Sequence, residues 1–158
     1  PRSSQSKVVP EMERGGKVAL DIVPLGTLAE SIRAVGAGVP AFYTPTTVNT
    51  VLADGKEHRE FDGRSYVLEP WLKADYALIK CELADTLGNL IFNKTARNFN
   101  PPAAMCGKVC IAEVEEIVPL GSLDPDGIHL PGIYVHRLIQ GEHEKRIEQR
   151  TVRQREDA

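Results

Sequence analysis

Two strand-like stretches, separated by turn and helix signals, constrain the fold of this chain more than any other feature. Residues 74–84 (ADYALIKCELA) predict a mostly buried strand. Residues 108–118 (KVCIAEVEEIV) predict another, with a polar face that changes along its length. Between them lie a turn at 88–89, a short strand in NLIF, and a loop that leads into a short helix. Interleaved strands and helices are typical of an α/β domain with a largely parallel sheet.

A strand, a turn and a helix are predicted earlier in the chain. Residues 17–24 (KVALDIVP) alternate along a strand-like pattern. A helix is predicted over 26–36 (GTLAESIRAVG), where Thr27 and Glu30 have the spacing of a capping box. Gly36 is placed to end that helix.

The sequence also predicts a β-hairpin and contains two similar eight-residue segments, which we call the internal echo. Asp62-Gly63 separates EHREF from RSYVLE, which predicts a β-hairpin. The segments 21–28 (DIVPLGTL) and 116–123 (EIVPLGSL) are identical at six of eight positions. We interpret both as exits of strands from one sheet, because proline stops ladder pairing and Thr27 or Ser122 can cap the next element.

Composition limits the classes of function. Of the 158 residues, 19 are Lys or Arg and 22 are Asp or Glu, which gives a formal charge of -3 and no basic stripe. A nucleic-acid partner is therefore not expected. No apolar run approaches the roughly 20 residues that span a bilayer, so a membrane partner is not expected either. The charges of both signs in 141–158 predict a solvated tail after a domain that occupies 1–140.

Most motifs of catalysis do not occur in this sequence. Gly36 and Gly38 follow a predicted helix and lack the third glycine of a dinucleotide-binding fingerprint. No serine lies in a GxSxG elbow. Acidic side chains on a strand are usually exposed to solvent or paired with cations, and this is the interpretation we favour for Glu113, Glu115 and Glu116. The sequence motifs therefore identify no candidate nucleophile in this chain.

The histidines and cysteines do not predict a metal site. His129, His136 and His143 are spaced by seven, but a Pro-Gly pair lies between the first two and no further ligand stands at metal-binding spacing. Cys106 and Cys110 are not a CxxC pair and are expected to be small apolar residues. Three cysteines in all is an odd, low count that suits a reducing compartment.

A series of short segments along the chain resembles the sequences of one protein family. These are GTLAESIRAVGAGVPAFYTPT, DGRSYVLE, ADYALIK, GNLIF, ARNFN, EVEEIV, IHLPGIYVHRLIQG and EKRIE. In this order they resemble the alpha subunit of a 3-oxoacid CoA-transferase, of the succinyl-CoA:3-ketoacid or 3-oxoadipate type. The resemblance implies a three-layer α/β fold with helices flanking a largely parallel sheet. It also implies that roughly the N-terminal third, with its GGFG segment, is missing from this sequence.

The resemblance further implies a two-step exchange that needs a beta subunit. In this family the nucleophile is a glutamate of the beta subunit, which attacks the acyl-CoA and becomes a glutamyl-CoA thioester, so no catalytic residue is expected in this chain. The implied partners are that beta subunit, within a heterotetramer, and acyl-CoA and 3-oxo acid substrates. Coenzyme A acts as substrate, and neither a separate cofactor nor a metal is expected. The implied location is the cytoplasm of a bacterium.

The resemblance places the segment GAGVPAF at the active-site face. Glycines there allow a ligand or partner backbone to approach closely, and an aromatic wall excludes water. A helix stop followed by a rigid turn is the structural alternative. Asparagines in a turn usually serve the chain itself, so the two in ARNFN are further candidates only. The predicted substrate- and CoA-binding residues are Gly36, Ala37, Gly38, Val39, Pro40, Ala41, Phe42, Asn98 and Asn100.

Two departures from the family pattern keep alternatives open. Leu25 stands where relatives commonly have glutamine, and leucine offers no hydrogen bond. The segment 47–49 reads TVN where relatives commonly read GYG. The alternatives are another acceptor, namely 3-oxoadipate, acetate or a short fatty acid; a non-catalytic subunit that stabilises its partner; and a ligand-sensing module on the same fold.

Overall fold

The computed structural model describes residues 8–19, 21–141, 146–147 and 150–151. The helices are Val8–Arg14 (α1), Leu25–Gly36 (α2) and Asn100–Cys106 (α3). The strands are Ala41–Thr44 (β1), His58–Phe61 (β2), Arg64–Pro70 (β3), Ala74–Asp85 (β4), Leu90–Ile91 (β5), Gly107–Val118 (β6), Arg137–Gln140 (β7), Arg146–Ile147 (β8) and Arg150–Thr151 (β9). Two compact units divide the chain, one within 1–28 and 43–69 and the other within 29–42 and 70–158.

The second unit is built on a four-stranded sheet with the order β5-β4-β6-β7. Strands β4 and β6 run parallel from the pair Ala74–Gly107 to the pair Asp85–Val118, and β7 is parallel to β6. Only the two-residue β5 runs antiparallel to its neighbour β4. The two long strands and the largely parallel sheet predicted from the sequence are therefore confirmed.

The core of this unit covers one face of the sheet. Side chains of a strand alternate between faces, and here every second residue is buried over 77–81 of β4 and over 110–114 of β6. These residues are Ala77, Ile79, Cys81, Cys110, Ala112 and Val114. Ala104 of α3 belongs to the same core cluster, as do Leu90, Phe92 and Leu130. The short helix predicted after ARNF is thus the element that covers this face.

The turn after β4 is closed by side chains. Asp85 Oδ1 accepts hydrogen bonds from the backbone N–H groups of Leu87 and Asn89, both at 3.0 Å. The Oδ1 atom of Asn89 accepts from the N–H of Gly132 at 2.9 Å. A Cβ atom on Gly132 would lie 2.2 Å from the carbonyl oxygen of Leu87, so only glycine fits this contact. Two loops that are distant in sequence are thereby joined.

The first unit contains the predicted hairpin. β2 and β3 pair antiparallel from His58–Val67 to Phe61–Arg64, and the sheet order is β1-β3-β2. Asp62 and Gly63 both have positive φ, 51° and 73°, as the two central residues of a type I′ turn require. The hairpin prediction is confirmed.

The loop before this hairpin is attached to β3 by a buried carboxylate. Glu69 is only 5% exposed, and its two oxygens lie 2.8 and 2.9 Å from Lys56 Nζ. Thr47 is 1% exposed and donates its hydroxyl to the same carboxylate at 3.4 Å. Asn49 has a φ of 62°, a left-handed conformation that asparagine tolerates better than most side chains. The asparagine of the TVN segment therefore takes a backbone conformation that glycine also adopts readily.

The strand predicted at 17–24 is wrong. Residues 17–19 and 21–24 belong to neither helix nor strand, and Ile22 is 62% exposed. A strand needs a neighbour to pair with, and no strand within the described ranges pairs with this segment. The interpretation of the internal echo is half correct as a result. Residues 116–118 end β6, whereas 21–24 lead directly into α2.

The predicted capping box is also wrong, although the helix and its end at Gly36 are confirmed. The helix begins at Leu25, and the N–H of Leu28 donates to the carbonyl of Pro24 at 2.9 Å. Thr27 is therefore already inside the first turn and cannot act as the N-cap. The Glu30 carboxylate pairs instead with the Arg33 guanidinium at 2.6 and 2.7 Å, one turn further on.

Candidate functional site

The glycine-rich segment after α2 forms a Schellman motif. The N–H of Val39 donates to the carbonyl of Ala34 at 2.9 Å, and the N–H of Gly38 donates to Val35 at 3.0 Å. These are the two hydrogen bonds of that motif, and they need a left-handed residue two positions after the helix. Gly38 supplies it with a φ of 70°. The structural alternative considered from the sequence, a helix stop with a rigid turn, therefore describes this backbone correctly.

The other glycine of the segment allows two helices to approach. A Cβ atom built on Gly36 would lie 2.6 Å from Met105 Cβ and 2.9 Å from its sulfur. Such contacts do not occur between real side chains, so α2 and α3 touch at this position because Gly36 has none. The space that Gly36 leaves is occupied by α3.

The residues after the two glycines present backbone and small side chains to solvent. Val39 is 38% exposed and Pro40 is exposed, whereas Ala41 and Phe42 are half-buried. The carbonyl of Pro40 accepts a hydrogen bond from Trp71 N–H at 3.1 Å, which fixes the loop to the chain after β3. No atom of the described part of the chain lies within 4 Å of the position that a Cβ of Gly38 would take. A ligand can approach the backbone at Gly38.

The two asparagine candidates have different surroundings. Asn98 is exposed at the end of a 3-10 helix. Asn100 is half-buried, and its Oδ1 accepts from the N–H of Lys80 at 3.2 Å while its Nδ2 donates to Ala96 at 2.7 Å. The amide of Asn100 thus connects the start of α3 to β4. The ligand role proposed for both residues remains a prediction.

The predicted site residues are joined only in part. Gly36 touches α3 at Met105, five residues after Asn100, which corresponds to about 7.5 Å along a helix axis. The hydrogen bonds of Asn100 run to β4 and to Ala96, away from the segment 36–42. The contact between Gly36 and Met105 joins the segment 36–42 to α3, whereas the hydrogen bonds of Asn100 join α3 to β4 and to Ala96.

Helix α2 begins at Leu25, one residue before the start that the sequence predicts. Leu25 is 64% exposed at the first helical position, and the hydroxyl of Thr27 is buried with no hydrogen-bond partner among the described residues. The wrong capping-box assignment hid this feature, because it gave that hydroxyl a partner. A glutamine at position 25, as in the family pattern, would add an amide where this chain presents a leucine.

Two acidic residues of β6, Glu113 and Glu115, are paired with a lysine and the third, Glu116, is exposed, as the sequence interpretation favoured. Lys80 Nζ on β4 lies 2.7 Å from Glu113 Oε1 and 3.9 Å from Glu115 Oε1. The parallel register places Lys80 directly beside Glu113. These groups form an ion-pair cluster on the face of the sheet opposite the core.

Two histidine side chains accept hydrogen bonds from backbone N–H groups. His129 Nδ1 accepts from the N–H of Phe92 at 2.9 Å, and His136 Nδ1 accepts from the N–H of Cys110 at 3.0 Å. His143 lies outside the described residues, as does most of the predicted tail 141–158. In the parts of the chain that the structure describes, no group of three His, Cys, Asp or Glu side chains could hold a metal ion.

The thiols are buried and protonated at neutral pH. Burial raises the pKa of Cys81 to about 12 and that of Cys110 to about 11. Burial also raises the pKa of Cys106. A thiolate nucleophile is therefore not supplied by these cysteines.

None of the helices within the described ranges has the length and apolar character needed to cross a bilayer.

Comparison with known proteins decides the family. The sequence profile described as "Coenzyme A transferase" matches residues 3–141. The chain belongs to the coenzyme A transferase family. It is 65% identical over 148 residues to the A subunit of the succinyl-CoA:3-ketoacid coenzyme A transferase of Xanthomonas campestris pv. campestris (strain B100), covering 91% of this chain and 61% of that relative.

Two further relatives have the same partial coverage. The A subunit of the corresponding Helicobacter pylori (strain J99) transferase is 57% identical over 150 residues, with 94% of this chain and 65% of that relative covered. The A subunit of the 3-oxoadipate CoA-transferase of Pseudomonas putida is 53% identical over 139 residues, with 88% and 60% covered. The chain thus spans about three fifths of the length of these coenzyme A transferase subunits.

Solved structures support the same fold. An acyl-CoA transferase of Escherichia coli O157:H7 superimposes with a TM-score of 0.75 at 18% identity, covering 84% of this chain and 30% of that one. The glutaconate coenzyme A-transferase of Acidaminococcus fermentans gives a TM-score of 0.71 at 17% identity, covering 84% and 49%. The α/β fold predicted from the sequence is the fold of these coenzyme A transferases.

Proposed function

We propose that this chain is part of the alpha subunit of a CoA-transferase that moves CoA from succinyl-CoA to a 3-oxo acid such as acetoacetate. The observation that carries the proposal is the 65% identity over 148 residues to the A subunit of a transferase of that name. The proposed partner is a beta subunit, in a heterotetramer, and the proposed location is the bacterial cytoplasm.

The proposed reaction proceeds through the beta subunit. A glutamate carboxylate there attacks the thioester carbonyl of succinyl-CoA, the C–S bond breaks, and CoA leaves as a thiolate. That thiolate attacks the glutamyl carbonyl of the resulting anhydride, which releases succinate and leaves a glutamyl-CoA thioester. The acceptor carboxylate then reverses both steps, so that CoA ends on the acceptor. Covalent catalysis of this kind replaces one difficult step by two easier ones.

The proposed part of this chain is to form a wall at the segment 36–42. An acyl anhydride hydrolyses in water, so the site has to exclude water while the intermediate exists. The Schellman turn at Gly38 and the hydrogen bond from Trp71 to Pro40 hold this wall in one conformation. A wall that is already rigid loses little conformational entropy when a substrate binds.

A second acceptor, 3-oxoadipate, is supported by the 53% identity to the Pseudomonas putida relative. It carries a second carboxylate that acetoacetate lacks, so the two acceptors differ by one charge. Comparing kcat/KM for the two acids distinguishes these activities directly.

The function is tested with the full-length subunit, alone and mixed with its beta subunit. The measurement follows the absorbance of the acetoacetyl-CoA enolate formed from succinyl-CoA and acetoacetate. We expect activity only in the mixture. A stably assembled complex that is inactive with acetoacetate, 3-oxoadipate, acetate and short fatty acids would instead identify a non-catalytic or ligand-sensing subunit.

The wall itself is tested by a matched pair of variants. Val39→Asp places a charge on the segment 36–42, and we expect kcat/KM to fall by about tenfold or more, because the charge disfavours an apolar, water-excluding surface. Val51→Asp is the control, since Val51 is 82% exposed on another loop. Equal activity in the two variants would remove the segment from the site.

A further inference from the structure

The short segment that joins β3 to β4 lies against the segment 36–42. We name it the tryptophan–lysine rim and define it by Trp71, Leu72 and Lys73. The N–H of Trp71 donates to the carbonyl of Pro40 at 3.1 Å. The rim and the proposed wall are therefore in direct contact, and both belong to the second unit.

Helix α2 also holds the rim. The N–H of Leu72 donates to the carbonyl of Ser31 at 3.0 Å, and the hydroxyl of Ser31 donates to the carbonyl of Pro70 at 3.1 Å. Ser31 is only 6% exposed, so these hydrogen bonds are largely shielded from water. A segment whose backbone is already fixed loses little conformational entropy when a ligand binds to its side chains.

The ammonium group of Lys73 is folded onto the indole ring of Trp71. Its Nζ atom lies 3.6 Å from the centroid of the ring, which is a close cation–π contact. An ammonium group has three N–H donors, so donors that point away from the ring remain available to an anion. The ring also removes part of the rotamer freedom that a lysine side chain otherwise loses when it binds. Lys73 is thus a positioned cation on an exposed part of the chain.

The positive charge of Lys73 is not neutralised by the carboxylates around it. Within the described ranges, no carboxylate forms an ion pair with its ammonium group. Asp75, two residues further along the chain, pairs with Lys108 at 2.8 Å. Glu30 on α2 pairs with Arg33 at 2.6 Å. The rim therefore carries one positive charge that is open to an anionic ligand.

This charge borders exposed apolar side chains. Leu72 is 49% exposed, and Val39 on the proposed wall is 38% exposed. An acyl-CoA combines a long, uncharged pantetheine arm with phosphate groups at the end away from the thioester. The thioester has to react out of contact with water, whereas the phosphates need cations and tolerate solvent. A lysine acts on phosphate as a point charge, so an exposed lysine next to an apolar wall fits the phosphate end of such a molecule.

We propose that Lys73, held in place by Trp71, binds a phosphate group of the CoA moiety of the acyl-CoA substrate. This rests on the proposed function, from which the acyl-CoA substrate follows. The phosphates are far from the reacting carbonyl, so the contact is equally strong in the ground state and in the transition state. A contact of this kind lowers KM and leaves kcat unchanged.

The test compares two thioesters with the full-length alpha subunit assembled with its beta subunit, at saturating acetoacetate. One is succinyl-CoA, and the other is succinyl-pantetheine, which lacks the phosphates. Lys73→Met is expected to raise KM for succinyl-CoA about tenfold, the loss typical of one hydrogen bond to a charged group, with kcat unchanged. The same variant should leave KM for succinyl-pantetheine unchanged.

Two further variants make the comparison specific. Lys73→Arg keeps the charge and can also stack on the indole ring, so its KM for succinyl-CoA should stay within about twofold of the wild-type value. Lys94→Met is the matched control, because Lys94 is also exposed in the second unit and the substitution removes the same charge. It should behave like the wild type with both thioesters.

The outcomes separate this proposal from the proposed function. If the wild-type complex is inactive, both fall. If it is active and Lys73→Met has the wild-type KM for succinyl-CoA, only the proposal for Lys73 falls. An equal rise in KM for both thioesters would assign the cation to the succinyl carboxylate. An equal rise in Lys73→Met and Lys94→Met would assign the effect to the overall charge of the subunit. Either of these last two results also overturns the proposal.

Discussion

Gly36 shows how one missing side chain can set the distance between two helices. We expect Gly36→Ala to lower the free energy of unfolding by about 1–3 kcal/mol, because the new Cβ would overlap the Met105 Cβ, 2.6 Å away. The overlap is with a Cβ, so Met105→Ala should not rescue the variant, whereas Met105→Gly should relieve the contact. Urea unfolding followed by circular dichroism measures the effect.

Gly26→Ala is the matched control for that prediction. It makes the same change in the same helix, but nothing lies within 4 Å of the added Cβ. Alanine is also the better helix former, so stability should be unchanged or slightly higher. Equal losses in the two variants would show that the contact with Met105 does not decide the result at Gly36.

The buried thiols predict a loss of stability in alkaline solution. Burial, the main cause, and the nearby Cys106 raise the pKa of Cys110 to about 11, above the value near 8.5 of an unfolded chain. The unfolded state therefore releases this proton first, and stability is lost as the pH rises from about 9 to about 11. The wild type and Cys110→Ala should differ in free energy of unfolding by a constant amount below pH 8. We call this difference the stability gap, and we expect it to become smaller above pH 9.

Chemical unfolding at a series of pH values, with both proteins compared at each pH, makes that measurement. The comparison cancels the titration of lysines and tyrosines that the two proteins share. A gap that stays constant up to pH 11 would mean that Cys110 titrates in the folded protein as it does in the unfolded chain.

At the scale of elements, two ion pairs of similar length have different consequences. Lys56 lies 2.8 Å from a Glu69 carboxylate that is almost fully buried, whereas Lys108 and Asp75 lie 2.8 Å apart with side chains 75% and 76% exposed. We expect Lys56→Met to cost about 1–3 kcal/mol, because it leaves the buried Glu69 carboxylate with Thr47 as its one remaining partner in the described ranges. Lys108→Met should leave the unfolding midpoint unchanged, because exposed pairs contribute little. Similar losses in both variants would contradict the argument from burial.

The elements that were predicted correctly are those whose residue pattern depends on near neighbours in the chain and not on distant parts of the fold. Buried residues alternate with more exposed ones over 77–81 of β4 and 110–114 of β6. The Asp62-Gly63 pair fits a type I′ turn without help from the rest of the chain. The segment 17–24 has a similar alternation and forms no strand, because pairing depends on a neighbour that a pattern does not contain. Thr27 and Glu30 failed as a capping box because the helix begins two residues earlier, at Leu25, which places Thr27 inside its first turn.

Near the candidate site, the end of α2 was predictable from the sequence, and the contacts made there were not. The segment GAGVPAF identifies the end of α2 from glycine positions alone. Spacing could not show that Gly36 faces Met105, since α3 lies some seventy residues further along the chain. Nor could it show that Asn100 binds the backbone of Lys80, because that contact exists only when β4 and α3 pack together.

At the scale of the whole molecule, burial predicts which parts open first. Cys110, Ala112 and Val114 of β6 are fully buried, and this strand is paired on both sides. β2 is exposed along its length and its described pairing is to β3 alone. We expect β6 amides to exchange hydrogen slowest and β2 amides fastest among the strands β1–β7. Native-state exchange followed by mass spectrometry tests this, and equal protection of β2 and β6 would contradict it.

The parallel pairing of β4 with β6 also governs how the chain can be assembled during its synthesis. Ala74 pairs with Gly107, so the first contact of this ladder joins residues 33 positions apart. A ribosome that adds roughly 5–20 residues per second needs on the order of 2–7 s to make that length. Throughout that interval the emerging chain holds an apolar strand, β4, whose parallel neighbour has not yet been made. The rate of translation, and not the search for contacts, therefore sets the earliest time at which this sheet can form.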